Sequence, residues 1–201
     1  MTPFKAMLIA WAYTEMETWL NLGNHESDPR LLNRLRQYGR AAGLSGDNLE
    51  TWAAACAADQ KAWSAAFISF LFASAGAGPQ FPVSTAHSHY VTLLKANMGC
   101  PPSVAPFQTW PVATVAVEVG DLVCRWRGHA VTFEQLDETD TTPDFFPSHC
   151  DLIVEVDGRR AVGIGGNVHG EGYTVGTVNY ILHANGTLNH PQGYAIVKNF
   201  K

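Results

Sequence analysis

Residues 59–76, Asp-Gln-Lys-Ala-Trp-Ser-Ala-Ala-Phe-Ile-Ser-Phe-Leu-Phe-Ala-Ser-Ala-Gly, constrain the fold more than any other stretch. From Trp63 to Ala75 nearly every residue is apolar or small. The run is too long for an ordinary strand and too short to span a bilayer. A helix that is apolar on almost all sides forms the buried centre of a domain. Polar Asp59, Gln60 and Lys61 precede it, and Gly76 and Gly78 suit its end. Ser64 falls in the first turn, where N–H groups lack intrahelical acceptors and the dipole is positive. It is either a capping residue or a nucleophile with donors at hand for a developing oxyanion.

A chain of 201 residues, 46% hydrophobic, suits one domain with a sizeable core and a helical extension. A net charge of −5 with no Lys/Arg cluster argues against nucleic acid as a partner. No run of about 20 apolar residues occurs, so no membrane span is expected. Met1–Leu22 is apolar but contains Glu15 and Glu17, and does not read as a signal peptide. Cys56, Cys100, Cys124 and Cys150 form no C-x-x-C pair, which argues against structural zinc. Two bridges in any of three pairings, or none, fit the spacing, so composition leaves the redox compartment open.

Residues 3–22 read as a helix with Phe4, Leu8, Trp11, Tyr13, Met16, Trp19 and Leu20 on a broad apolar face. Asp28-Pro29 opens a second helix, capped by Asp28 and closed by Gly43. A third covers about 47–58, with Trp52 and Cys56 on one face. Ser84 or Thr85 caps a helix that reaches about Asn97 and contains Ala-His-Ser-His-Tyr at 86–90. His87 and His89 are two apart and point to different sides, against a shared metal. Prolines 101, 102, 106 and 111 separate this half from strand candidates at 121–126, 149–156, 159–166, 173–182 and 193–199. Asp157-Gly158 and Asn185-Gly186 mark hairpins, and 127–147 is an acidic loop with few apolar anchors. Helices first and hairpin-linked strands after give α+β with an antiparallel sheet.

Strand alternation puts His149, Asp151 and Ile153 on one face and Cys150 and Leu152 on the other. A hairpin about Asp157-Gly158 places His149 opposite Gly166, beside Asn167. Gly165 and Gly166 permit a bulge there. A serine at a helix start, a histidine at a strand start and an asparagine beside it supply a nucleophile, a base and a group to orient the imidazole. The structural alternative is a capping Ser, a strand-edge His and a turn Asn.

Trp63-Ser64-Ala65-Ala66-Phe67 resembles the Trp-Cys-Ala-Ala-Phe signature of papain-like bacterial cell-wall hydrolases of the NlpC and CHAP type, with Ser in place of Cys. Gly120-Asp121-Leu122 is similar to the Gly-Asp-Leu that opens their first strand. His149 resembles their catalytic His, and Gly165-Gly166-Asn167 their orienting position. More closely, the chain resembles an uncharacterised bacterial family within that superfamily. That family is marked by Trp-Ser-Ala-Ala-Phe, Ala-His-Ser-x-Tyr, Gly-Asp-Leu-x-Cys, His-Cys-Asp and Gly-Gly-Asn-Val, found here at 63–67, 86–90, 120–124, 149–151 and 165–168. The resemblance spans roughly residues 60–200. It implies a papain-like domain over 59–201, with 1–58 a helical extension packed on it.

It further implies a peptidoglycan hydrolase cleaving an amide of the peptide stem, with Ser64, His149 and Asn167 catalytic. Trp63, His87, Tyr90 and Asp151 would line the substrate, and no metal or organic cofactor would be needed. The chain would act in the periplasm or outside the cell, as a lysin or as an antibacterial effector paired with an immunity protein. Cys124 and Cys150 would be neighbours on adjacent strands. The Ser-for-Cys exchange also allows a serine esterase or acyltransferase, or a non-catalytic module that binds muropeptide or a partner protein. A metal hydrolase using His87, His89, His149 and Asp151 is the remotest alternative.

Overall fold

The computed structural model describes residues 1–23, 25–137, 145–170 and 172–201. Its helices are α1 (Pro3–Asn21), α2 (Leu32–Ala41), α3 (Gly46–Ala57), α4 (Ser64–Ser74) and α5 (His87–Lys95). The strands are β1 (Phe107–Pro111), β2 (Leu122–Trp126), β3 (Ser148–Asp157), β4 (Arg160–Gly170), β5 (Gly172–Ile181) and β6 (Gly193–Asn199). They form one sheet in the order β1-β6-β2-β3-β4-β5, antiparallel throughout. The fold is α+β, with the helices leading and the sheet following. No described helix is long and apolar enough to cross a membrane.

The apolar run forms α4, which packs on β3 and β4. Phe67, Ile68, Leu71 and Phe72 are completely buried. The N-terminal helices attach through aromatic contact: Trp19 of α1 stacks on Trp63 with ring centroids 4.3 Å apart, and Tyr38 of α2 meets Phe67 edge-on. The buried stripe of α1 is narrower than its apolar sequence suggests. It comprises Leu8, Ala12, Glu15 and Trp19, while Tyr13 and Leu20 are exposed. Glu15 is buried because the Tyr38 hydroxyl donates to it and Arg34 lies 3.4 Å away. The second helix starts at Leu32 rather than Pro29. The Asp28 carboxylate instead accepts the Arg30 backbone N–H and guanidinium, closing a local turn.

Two cores flank the sheet. Cys124, Cys150, Leu152 and Ile164 face the helices. Val123, Ile153, Tyr180 and Ile196 join Val117, Leu182 and Leu188 on the other side. Cys124 and Cys150 are direct partners in the β2–β3 ladder, 4.2 Å apart at Cα, and are joined by a disulfide. Asp121, of the Gly-Asp-Leu motif, is a buried clamp. It accepts hydrogen bonds from the N–H groups of Asn199 and Glu118 and pairs with Lys198 at 2.6 Å. Burial nevertheless pushes its carboxyl up to about 6.

The β3–β4 hairpin exists, but its loop is Gly158–Arg159, since Asp157 pairs with Arg160. A bulge at Val154 then changes the register to Leu152↔Ile164. A second bulge lies in β4: Gly165 pairs with Gly176 and Val168 with Thr174, so Gly166 and Asn167 together oppose Val175. The acidic loop has more anchorage than its composition suggests. Phe133 and Leu136 are buried, and Lys95 donates to the Leu136 carbonyl. The loop's residues 138–144 lie outside the described residues.

Candidate active site

Ser64 is the first residue of α4 and makes no capping bond. Its Oγ lies 2.7 Å from Nε2 of His87, the first residue of α5. Both side chains are buried, with 5% and 4% of their surface exposed. The first intrahelical bond of α4 runs from the Phe67 N–H to the Trp63 carbonyl. The N–H groups of Ser64, Ala65 and Ala66 therefore have no acceptor among the described residues. Nδ1 of His87 shares a hydrogen bond with the hydroxyl of Tyr90, one turn along α5 and fully buried. Burial, with the neighbouring His149, Arg127 and Arg125, holds the His87 imidazole well below its ordinary 6.5, against the pull of Asp151. It is therefore neutral near pH 7, with a ring nitrogen free of charge facing Ser64.

His149 does not take the place beside Ser64 that the family resemblance implied. On β3 it shares the face of Ile153, which points to the smaller core, whereas α4 covers the opposite face. Its Nε2 bonds Asp151 Oδ1 at 2.9 Å, and its ring meets that of His87 edge-on at 5.4 Å between centroids. Asp151 is completely buried and also takes bonds from Arg125, at 3.0 Å, and from the Tyr180 hydroxyl. Burial opposes its ionisation, but His149, Arg125 and Tyr180 together hold the carboxyl below the usual range. Asn167 is not hydrogen-bonded to His149; Asp151 fills that post.

The cavity at Ser64 measures about 140 Å³ and is lined by Ala65, His87, Asn167, Arg127 and the Phe145–Phe146–Pro147 segment, among others. Of the residues expected at the substrate, His87 lines it. Trp63, Tyr90 and Asp151 do not: each is completely buried, Trp63 against Trp19, Tyr90 behind His87 and Asp151 within its ion-pair cluster. Arg125 and Tyr180, which complete that cluster, escaped sequence reasoning. Tyr180 lies two strands from β3 in the sheet, and only the alternation of Arg125 opposite His149 hinted at the first. Among the described residues, no three of His, Cys, Asp and Glu converge as metal ligands.

Two glycines shape this corner. A Cβ on Gly165 would stand 2.0 Å from Asp151 Oδ1, and one on Gly166 would stand 2.7 Å from the rings of Phe67 and Trp63. The backbone of β4 can thus press against both the ion-pair cluster and α4 before Asn167 turns into the cavity.

Neither a curated protein nor a solved structure matches the chain. One family model does, over residues 16–200, and so takes in the last turns of α1 and all of α2 and α3 as well as the sheet. The chain belongs to that family, described as an uncharacterized protein conserved in bacteria (DUF2272).

Proposed function

We propose that the chain is a serine-dependent hydrolase on a papain-like scaffold that cleaves an amide in the peptide stem of bacterial peptidoglycan. The observation that carries the chemistry is the 2.7 Å contact between Ser64 Oγ and His87 Nε2 at the start of a buried helix. Supporting it are the uncommitted N–H groups beside Ser64 and a cavity much smaller than a ligand pocket of about 300–1,000 Å³. Such a cavity suits the atoms around one scissile bond. The substrate itself is proposed from the cell-wall signature at 63–67, and the Cys124–Cys150 bridge fits action in an oxidising compartment.

In the competent tautomer the His87 Nδ1–H donates to the Tyr90 oxygen, leaving Nε2 free. Ser64 Oγ bonds to the carbonyl carbon as its proton passes to Nε2 and the carbonyl electron pair moves to oxygen. The N–H groups at the start of α4 stabilise that oxyanion. Collapse breaks the C–N bond, and the amine leaves with the proton from Nε2. Water then attacks the ester, returning its proton through His87 and releasing the acid and Ser64. This assigns the base to His87 in place of His149, which is hydrogen-bonded to Asp151 and meets the His87 ring edge-on.

A non-catalytic binding module is the second reading. It is favoured by the opposite tautomer, in which the buried Tyr90 hydroxyl donates to Nδ1 and Nε2–H points at Ser64. Incubating purified peptidoglycan with the protein and separating the fragments decides between them. New stem-peptide termini from the wild type and none from Ser64→Ala are expected. Sedimentation with intact sacculi without fragments, equal for both proteins, would establish the binding module instead.

A further inference from the structure

We propose that the Asn167 side-chain amide is an oxyanion donor of the Ser64 site rather than a group that orients a histidine. This rests on the Ser64 nucleophile proposed above. The backbone at Asn167, the two glycines ahead of it and its place in the cavity point to it.

Asn167 has φ +56, the left-handed region that is uncommon for non-glycine residues and that asparagine tolerates better than most. It sits on the bulge where two residues of β4 oppose one of β5, a distortion that re-aims a side chain. Gly165 and Gly166 ahead of it are held at distances that no Cβ tolerates. Lastly, Asn167 is 8% exposed, lines the Ser64 cavity, and has no hydrogen-bond partner among the described residues. Its amide opens on the cavity, so a group that enters there can complete its hydrogen bonds.

Other groups already hold the histidine atoms that an orienting residue would be expected to meet. His149 Nε2 is taken by Asp151, and His87 Nδ1 by Tyr90. The cavity wall formed by the start of α4 supplies backbone donors from one side, and Asn167 brings a side-chain donor on β4 to the same space. When Ser64 adds to a carbonyl, the oxygen gains a full charge, and an Nδ2–H donor held in a left-handed bulge needs no reorganisation to meet it.

The test uses the full-length protein and a fluorophosphonate, with the rate of Ser64 phosphonylation read by intact mass. The reagent forms an O–P bond to Ser64 and expels fluoride, the Ser64 proton passing to His87, and its phosphoryl oxygen occupies the oxyanion position. Asn167→Gly keeps the left-handed backbone at no steric cost. Asn167→Asp keeps the shape and removes the donor. Each is expected to react about 100- to 1,000-fold more slowly than wild type, with the circular dichroism spectrum and Tm preserved. Rates within threefold of wild type in both variants would overturn the assignment while leaving Ser64 as nucleophile. So would a displaced acidic limb of the pH–rate profile with an intact plateau, because that marks an imidazole partner. A wild-type Ser64 that stays unmodified at saturating reagent would remove the nucleophile, and the oxyanion donor with it.

Discussion

Ser64 gives up its capping role to reach His87, and that choice sets what its replacement does. Ser64→Ala loses one buried hydrogen bond and no cap, so its stability cost is expected to be about 1 kcal/mol, measured by urea unfolding. Ser64→Cys places a thiol at a helix start beside an imidazole, where the thiolate is favoured. It should react with iodoacetamide faster than Cys56, whose thiol burial pushes up to about 12. An introduced thiol as slow as Cys56 would show that the corner does not activate a nucleophile. The pairing of Ser64 with an imidazole was legible in the sequence, but the identity of the imidazole was not. His87 and His149 both lay in motifs, and strand alternation, though correctly read, did not reveal which face α4 would cover. Nothing local in the Ala-His-Ser-His-Tyr stretch shows that the start of α5 abuts the start of α4.

At the scale of elements, the strand-turn-strand grammar carried further. Helix α4, the order of helices before strands, and the β3–β4 hairpin were all readable from apolar runs and turn residues. Strand β1 was not, because Phe107–Pro111 is short and ends in proline at the sheet edge, where a missing N–H is tolerated. The bulge at Val154 was invisible in register arithmetic, since one added residue leaves the composition of a strand unchanged, whereas Gly165-Gly166 had marked the one in β4. Their importance gives a sharp test. Gly165→Ala would drive a methyl group into Asp151 Oδ1 and separate β4 from β3 at the ion-pair cluster. We expect a loss of about 3 kcal/mol or more. Gly163→Ala, whose Cβ would sit 3.0 Å from Asp151 Cβ, should cost clearly less. Equal urea midpoints for the two variants would mean that the β4 backbone relaxes freely there.

For the molecule as a whole, acid sensitivity combines opposing groups. His87 is held neutral in the fold, so below 6.5 the unfolded chain takes up a proton that the native site refuses, and stability falls with pH. Asp121 acts the other way: with its folded value near 6, it holds a proton that the unfolded chain releases down to 3.8, so stability rises as pH falls through that window. Asp151, depressed, contributes stability above 3.8 that is lost in stronger acid. Removing one member isolates its share: His87→Asn should flatten the decline in Tm between pH 6.5 and 4.5 relative to wild type, and an unchanged slope would show that His87 titrates normally. The link between β2 and β3 operates at this scale too, and reducing it should cost about 3 kcal/mol by the loop-entropy estimate, seen as a lower Tm in dithiothreitol. The same bond turns residues 124–150 into a covalent ring with a sequence separation of 26. A protease that cuts the chain once between those cysteines cannot release either product. The piece bearing Ser64 and His87 stays tied to the piece bearing His149 and Asn167, one band on a non-reducing gel and two on a reducing one. A protein built this way can be nicked beside its own active site without its two halves parting.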